Sequence, residues 1–244
     1  MERWQNRVAI VTGASSGIGA AIVKDLVKAG LKVVGLARRV ERIEGLKASL
    51  SAEQQKRLFS VQCDVTSEIS VNQAFDWIIE KLGGVDILVN NAGIVRPGKL
   101  ATMDIPLVRE VIDTNIMGVV LATKRAFQNM KDRKFDGHVV IINSIVGHSI
   151  PCFPTLVDLN IYPASKYAVT AITEIYRQEF KGFGTKVKIT SVSPGLVKTE
   201  ITEGFDAAPI LSPEDISSGV MFAISTPPHV QVHELTIKPV GENM

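Results

Sequence analysis

Apolar residues along this chain gather in short runs, several of which stop at a glycine, asparagine, serine or proline. Runs rich in valine, isoleucine and leucine with no polar alternation read as strands buried on both faces, as in a parallel sheet. They occupy 8–12, 31–37, 57–65, 85–90, 137–144, 187–193 and 234–237. Between them apolar positions recur at helical spacing, from 17 to about 30, over 67–82 and 108–130, onward from 162, and over 213–225. Strands alternating with helices predict one doubly wound α/β domain over 1–244, with a seven-stranded parallel sheet flanked by helices. Two segments, 148–161 and 200–211, fit neither period and are expected to be loops beside a ligand site.

The first strand breaks at Thr12-Gly13 into Gly13-Ala-Ser15-Ser16-Gly17-Ile18-Gly19. Ile18, Ala21, Ile22, Leu26 and Val27 then continue as a helix. A strand, a tight turn and a helix start together present backbone N–H groups and the positive end of a helix dipole, so a phosphate is the expected guest. The spacing departs from G-x-G-x-x-G, because position 15 is serine; a glycine turn without a ligand remains the alternative at this point. The second strand ends at Ala37, and Arg38 and Arg39 follow. A carboxylate at that place would bond a ribose 2′-hydroxyl, whereas guanidinium groups suit a 2′-phosphate. NADP is therefore expected over NAD, unless the arginines merely open a solvated helix with Arg42 and Lys47.

Further along, Asp64-Val65 closes the third strand, where Asp64 suits either a ligand contact or the start of the next helix. Asn90-Asn91-Ala92-Gly93 ends the fourth. Small residues there admit a ligand close to the backbone, and the amides can tie strand ends together. Asn115 is a polar residue in an apolar helical stretch, which alone signals only a satisfied core position. Ser144 ends the fifth strand, and Tyr162 and Lys166 stand four apart at the start of a long helix, on one face. A phenol of ordinary pKa about 10 is a poor base, but a neighbouring ammonium lowers it. Tyr162 is accordingly the expected general acid/base.

Composition narrows the classes. The 244 residues carry a net charge of +2 with scattered basic residues, so neither nucleic acid nor a membrane surface is an expected partner. No apolar run reaches bilayer length, the first residues lack a signal-peptide core, and the expected location is cytoplasmic. Cys63 and Cys152 have no metal-ligand spacing, and no metal is expected.

Thr12-Gly-x-x-x-Gly-Ile-Gly19, Asn90-Asn-Ala-Gly93, Asn115, Ser144 and Tyr162-x-x-x-Lys166, in this order, resemble the short-chain dehydrogenase/reductase family over essentially the whole chain. The resemblance implies a Rossmann-type fold and hydride transfer between a nicotinamide cofactor and an alcohol or carbonyl. It implies catalytic roles for Asn115, Ser144, Tyr162 and Lys166, with Asn115 at a helix kink and Lys166 also on the nicotinamide ribose. Cofactor contacts follow at Gly13, Ser15, Ser16, Gly17, Ile18, Gly19, Arg38, Arg39, Asn91, Ala92, Gly93 and Tyr162. Asp64 and Val65 would hold adenine, and the turn Pro194, Gly195, Val197 and Thr199 the carboxamide. Homodimers or homotetramers built on the helices of Asn115 and Tyr162 are usual in the family.

Two departures stand out: position 143 is asparagine rather than serine, and the stretch between Ser144 and Tyr162 is about five residues longer than usual. Met1-Glu-Arg-Trp4, Gly35-Leu-Ala-Arg-Arg39 and 225–233 are similar to insect members that act on isoprenoid alcohols and to steroid-acting members. Ile150, Phe153, Leu156, Val157, Phe205 and Ile210 would line an apolar pocket for a farnesol-like alcohol, or serve as core or subunit contacts. A steroid or ecdysteroid substrate, and an NADPH-binding regulatory protein without turnover, are the alternatives.

Overall fold

The computed structural model describes residues 1–150, 159–202 and 209–242. A short 3-10 turn, Glu2–Trp4, precedes β1 (Val8–Thr12), α1 (Gly17–Lys28) and β2 (Lys32–Ala37). Two short helices, α2 (Val40–Leu46) and α3 (Ala52–Gln55), lead to β3 (Leu58–Gln62), then α4 (Glu68–Leu82) and β4 (Ile87–Asn90). Next come α5 (Ile105–Ile112), a π-helical turn over Asp113–Met117, α6 (Gly118–Asp132) and β5 (His138–Ile142). The long α7 (Tyr162–Gly182), β6 (Lys188–Pro194), α8 (Pro213–Ser225) and β7 (Glu234–Ile237) complete the order. Helix α7 begins at Tyr162 with Pro163 in its first turn, where the missing N–H costs nothing.

The seven strands form one parallel sheet in the order β3-β2-β1-β4-β5-β6-β7, as the run pattern predicts. Alternate strand residues face opposite layers. Ala9, Val11, Val33, Val89 and Val140 pack with Ile22, Leu26, Ile216 and Val220 of α1 and α8. Val8, Ile10, Val34, Leu88 and Val139 pack with Phe75 and Ile78 of α4, Ala126 of α6 and Phe180 of α7. The inner strands β1, β4 and β5 are buried on both faces and carry near-continuous apolar runs, whereas the edge strands β3 and β7 are partly exposed.

The helical spacing over 108–130 is realised as two helices joined through the π turn at 113–117, at the place where the resemblance implies a kink at Asn115. Apolar spacing does not register one inserted residue per turn, so this feature was invisible to periodicity. Strand three ends at Gln62, short of the expected Asp64, because Asp64 turns away into the start of α4. Its Oδ1 accepts from the Thr66 amide at 3.0 Å.

The order in which strands are laid down reverses between the parallel neighbours β1 and β4, and the gap between their C-terminal ends is where such a sheet receives a ligand. Here the two ends are stitched together. The Thr12 hydroxyl accepts from the amides of Asn91 and Ala92, both at 3.0 Å. The Asn91 side-chain amide donates back to the carbonyls of Thr12 at 2.9 Å and Gly13 at 3.2 Å.

Thr12→Val keeps the shape and removes the acceptor, leaving two partly buried N–H groups unpaired. We expect a loss of about 2 kcal/mol, and thus a melting temperature lower by about 4–8 °C. An unchanged thermal transition would contradict the stitch.

Candidate active site

The C-terminal ends of β1, β2, β4, β5 and β6 surround a cleft of about 530 Å³. Gly13 borders it with φ +64°, and a Cβ there would lie 2.8 Å from Ala92 Cα, so the turn accepts only glycine without strain. Ser15, Ser16, Gly17 and Ile18 follow on the cleft wall. Ser16 caps α1 without a side-chain hydrogen bond to its first turn, so the helix-start amides at the cleft are left to another acceptor. Gly19 does not reach the wall, contrary to expectation. A Cβ at Gly19 would come within 2.4 Å of the Gly13 carbonyl oxygen and 2.5 Å of Asn91 Nδ2, so this glycine serves the close packing of α1 on the strand ends.

On the β2 side, Ala37, Arg38 and Arg39 line the cleft, with both arginines exposed. Asp64 and Val65 line it from the end of β3. Asp64 borders the cleft, and its carboxylate holds the Thr66 hydroxyl at 2.8 Å ahead of α4, whose cap is Ser67. Asn91, Ala92 and Gly93 form the floor next to the glycine turn. This open glycine cradle, the free helix start and the basic pair fit the phosphates of a dinucleotide such as NADP.

On the β5 side, Ser144, Tyr162 and Lys166 share one wall. Ser144 lies near enough to the Tyr162 phenol to draw its pKa down in part. Its hydroxyl also accepts from the Val146 amide at 3.3 Å. Buried Lys166 donates to the Ile142 carbonyl at 2.9 Å, and its Nζ lies 5.7 Å from the Tyr162 ring centre. The expected lowering of the phenol by this ammonium is not what the site produces. Dense surroundings push Tyr162 up to about 12, with Ser144 only partly opposing them. Burial likewise holds Lys166 down at about 8. Desolvation disfavours both charged forms and outweighs their mutual attraction at this separation.

Asn115 is buried in the π turn and does not line the cleft. Its Oδ1 accepts from the Ile94 amide at 2.9 Å, and its Nδ2 donates to the Ile94 carbonyl at 3.0 Å and to Ser165 Oγ at 3.1 Å. It therefore clamps the strand extension beyond Gly93 to the first turn of α7. Asn143, the unusual residue before Ser144, donates to Thr170 Oγ1 at 2.9 Å and braces the same helix.

The turn Pro194, Gly195, Val197 and Thr199 forms the remaining wall. The Gly195 amide donates to the Ile237 carbonyl at 2.7 Å, and Thr202 Oγ1 donates to the Val197 carbonyl at 2.5 Å. Ile150 and Ile210 are exposed and do not line the cleft formed by the described residues. Phe153, Leu156, Val157 and Phe205 lie outside the described residues. Apolar walls come from Ile201, in the loop over 200–211 expected beside the ligand site, and from Ile94, which sequence patterning did not single out. Glu200 and Thr202 were missed too, since a short polar loop carries no periodic signal. Among the described residues no cluster of metal-ligating side chains occurs, and no helix is long and apolar enough to cross a membrane.

Residues 7–209 match the family profile described as short chain dehydrogenase. A farnesol dehydrogenase from Aedes aegypti is 57% identical over 248 residues, covering 99% of each chain. Dehydrogenase/reductase SDR family member 11 from Mus musculus is 41% identical over 256 residues, covering 99% of this chain and 97% of the relative. Among solved structures, an alcohol dehydrogenase from the archaeon Thermococcus sibiricus, complexed with 5-hydroxy-NADP, superposes with a TM-score of 0.86 at 27% identity. That likeness covers 98% of both chains.

The depressed Lys166 ammonium leaves a signature in stability. From about 8 to its unfolded value of about 10.4, the folded chain binds fewer protons at this site than the unfolded chain. Stability therefore rises with pH across that window. Lys166→Met removes the contribution, so the wild-type minus variant unfolding free energy should grow by on the order of 2 kcal/mol between pH 7 and 10. Urea titrations at stepped pH measure it, and a flat difference would refute the buried ammonium.

Proposed function

The chain belongs to the short-chain dehydrogenase family and is an oxidoreductase, and we propose that it interconverts a lipophilic alcohol of isoprenoid type, farnesol above all, and its carbonyl form with NADP(H). One observation carries this reading: Ser144, Tyr162 and Lys166 meet on one wall of a cleft that has Arg38 and Arg39 on the far side of the β1–β4 pair. The name of the Aedes aegypti relative supports farnesol, and the 5-hydroxy-NADP of the archaeal structure supports a 2′-phosphorylated cofactor.

When bound, NADP(H) supplies the carbon that takes or gives the hydride. The protein supplies position and protons. Ser144, on the same wall as the Tyr162 phenol, would hold the substrate oxygen beside it. Tyr162 would take the alcohol proton in oxidation and return it in reduction. Its high pKa keeps the phenol protonated at neutral pH, which equips it to donate. Lys166 would hold the nicotinamide ribose, the turn Pro194 to Thr199 the carboxamide, and Asp64 with Val65 the adenine. Asn115 acts through Ile94 and Ser165 as a positioning residue. A cytoplasmic homo-oligomer built on α6 and α7 belongs to the same reading. Phe183 supports it, being exposed at the end of α7 beside Phe127 of α6.

The test is nicotinamide absorbance with purified protein, farnesol, a hydroxysteroid and both oxidised cofactors. Farnesol turnover with NADP⁺ in preference to NAD⁺ is expected, whereas turnover of the steroid alone would overturn the isoprenoid assignment. Tyr162→Phe should lose about 10²- to 10⁴-fold in kcat while still binding NADPH; retained activity would remove Tyr162 from its role.

The raised phenol pKa sets a pH dependence. Oxidation needs the deprotonated form, so kcat/KM for the alcohol should climb from pH 7 to 10, whereas carbonyl reduction should stay level over that range and fall only as pH approaches about 12. A level oxidation profile would contradict a proton-accepting Tyr162.

A further inference from the structure

The mouth of the cleft is crossed by an ion-pair bridge that no role above uses. Glu200, at the start of the 3-10 turn Glu200–Thr202 after β6, reaches back to the arginines that follow β2. Its Oε2 lies 3.3 Å from Arg39 Nη2, and its Oε1 lies 2.5 Å from Arg42 Nη1. The partners stand 161 and 158 positions away in sequence, so the contact exists only because the fold brings the ends of β2 and β6 to one cleft. Glu200 and Arg39 both line that cleft, as does Arg38, which has no ion pair among the described residues. The guanidinium groups hold the Glu200 carboxyl below the usual range, Arg42 most strongly and Arg39 next, so it is ionised at neutral pH.

We infer that Glu200 is a specificity-determining residue, an anion already seated on Arg39, one of the two guanidinium groups that a 2′-phosphate would use and for which it must compete. The inference rests on the reading of Arg38 and Arg39 as the 2′-phosphate site. A phosphate dianion beside Arg39 meets the Glu200 carboxylate as a like charge and as a rival for the same N–H donors. A dinucleotide with a free 2′-hydroxyl meets neither penalty. Glu200 therefore reduces the advantage of the phosphorylated cofactor that the two arginines would otherwise confer. Because the bridge is exposed, its effect is modest and is screened by salt.

Binding, without turnover, tests this. Wild type, Glu200→Gln and Arg39→Ala are titrated with NADPH and NADH by nicotinamide fluorescence. Calorimetry with adenosine 2′,5′-bisphosphate and adenosine 5′-monophosphate repeats the comparison on the fragment that reaches the arginines. Glu200→Gln should tighten NADPH and the bisphosphate by about 3- to 10-fold and leave NADH and the monophosphate unchanged, with the gap narrowing at high salt. No tightening of the 2′-phosphorylated probes, or equal tightening of all four, would overturn the inference. Arg39→Ala separates the two levels of argument. If it weakens NADPH while Glu200→Gln tightens nothing, the phosphate site stands and the role of Glu200 falls. If it leaves NADPH untouched, the phosphate site falls and the inference falls with it.

Discussion

Everything in this molecule that touches the cleft depends on how closely the ends of β1 and β4 approach each other. The hydroxyl of Thr12 accepts two amides from the neighbouring strand end, and the Asn91 side chain returns two hydrogen bonds to the glycine turn. That spacing leaves no room for a Cβ at Gly13 or Gly19. Only with those atoms missing can α1 start flush against the strand ends and present free N–H groups to the cleft. One close approach thus fixes the phosphate cradle, the floor at Asn91–Gly93 and the distance from the basic pair to the tyrosine wall.

The second constraint is electrostatic. The wall opposite the arginines is dense enough to make charge costly, which raises the Tyr162 phenol and depresses the Lys166 ammonium together. A phenol that stays protonated is a donor at neutral pH and an acceptor only as pH rises. The Lys166 hydrogen bond to the Ile142 carbonyl ties the amine to the end of β5, so the pair is positioned by the strand as well as by the helix turn. The π turn adds a third fixed point. Asn115 pins Ile94 and Ser165 at once, joining the chain beyond β4 to the beginning of α7.

Much of this was legible before any coordinates. Helix α8 and strand β7 lie where helical spacing and the last apolar run place them, because capping by Ser212 and a short apolar run are local properties. The glycine turn, the basic pair and the Ser144, Tyr162 and Lys166 set converge on the cleft, since the end of each parallel strand points the same way. What was not legible is what depends on distant partners. The bonds from Asn115 to Ile94 and Ser165 follow from no period, and the kink that holds Asn115 was legible only through the resemblance. The direction of the Tyr162 shift follows from packing density, which a four-residue spacing does not encode. Ile150 and Ile210 are apolar, yet fall outside the cleft. Glu200 met the arginines across most of the chain.

The central claim is that hydride passes directly between the substrate carbinol carbon and the nicotinamide within this cleft. The most direct measurement follows deuterium from farnesol labelled at its carbinol carbon, with mass spectrometry of the cofactor after incubation with the purified protein and NADP⁺. The account predicts deuterium in the reduced nicotinamide ring, transferred without exchange with water. Oxidised product accompanied by unlabelled NADPH, with the deuterium lost to solvent, would contradict it.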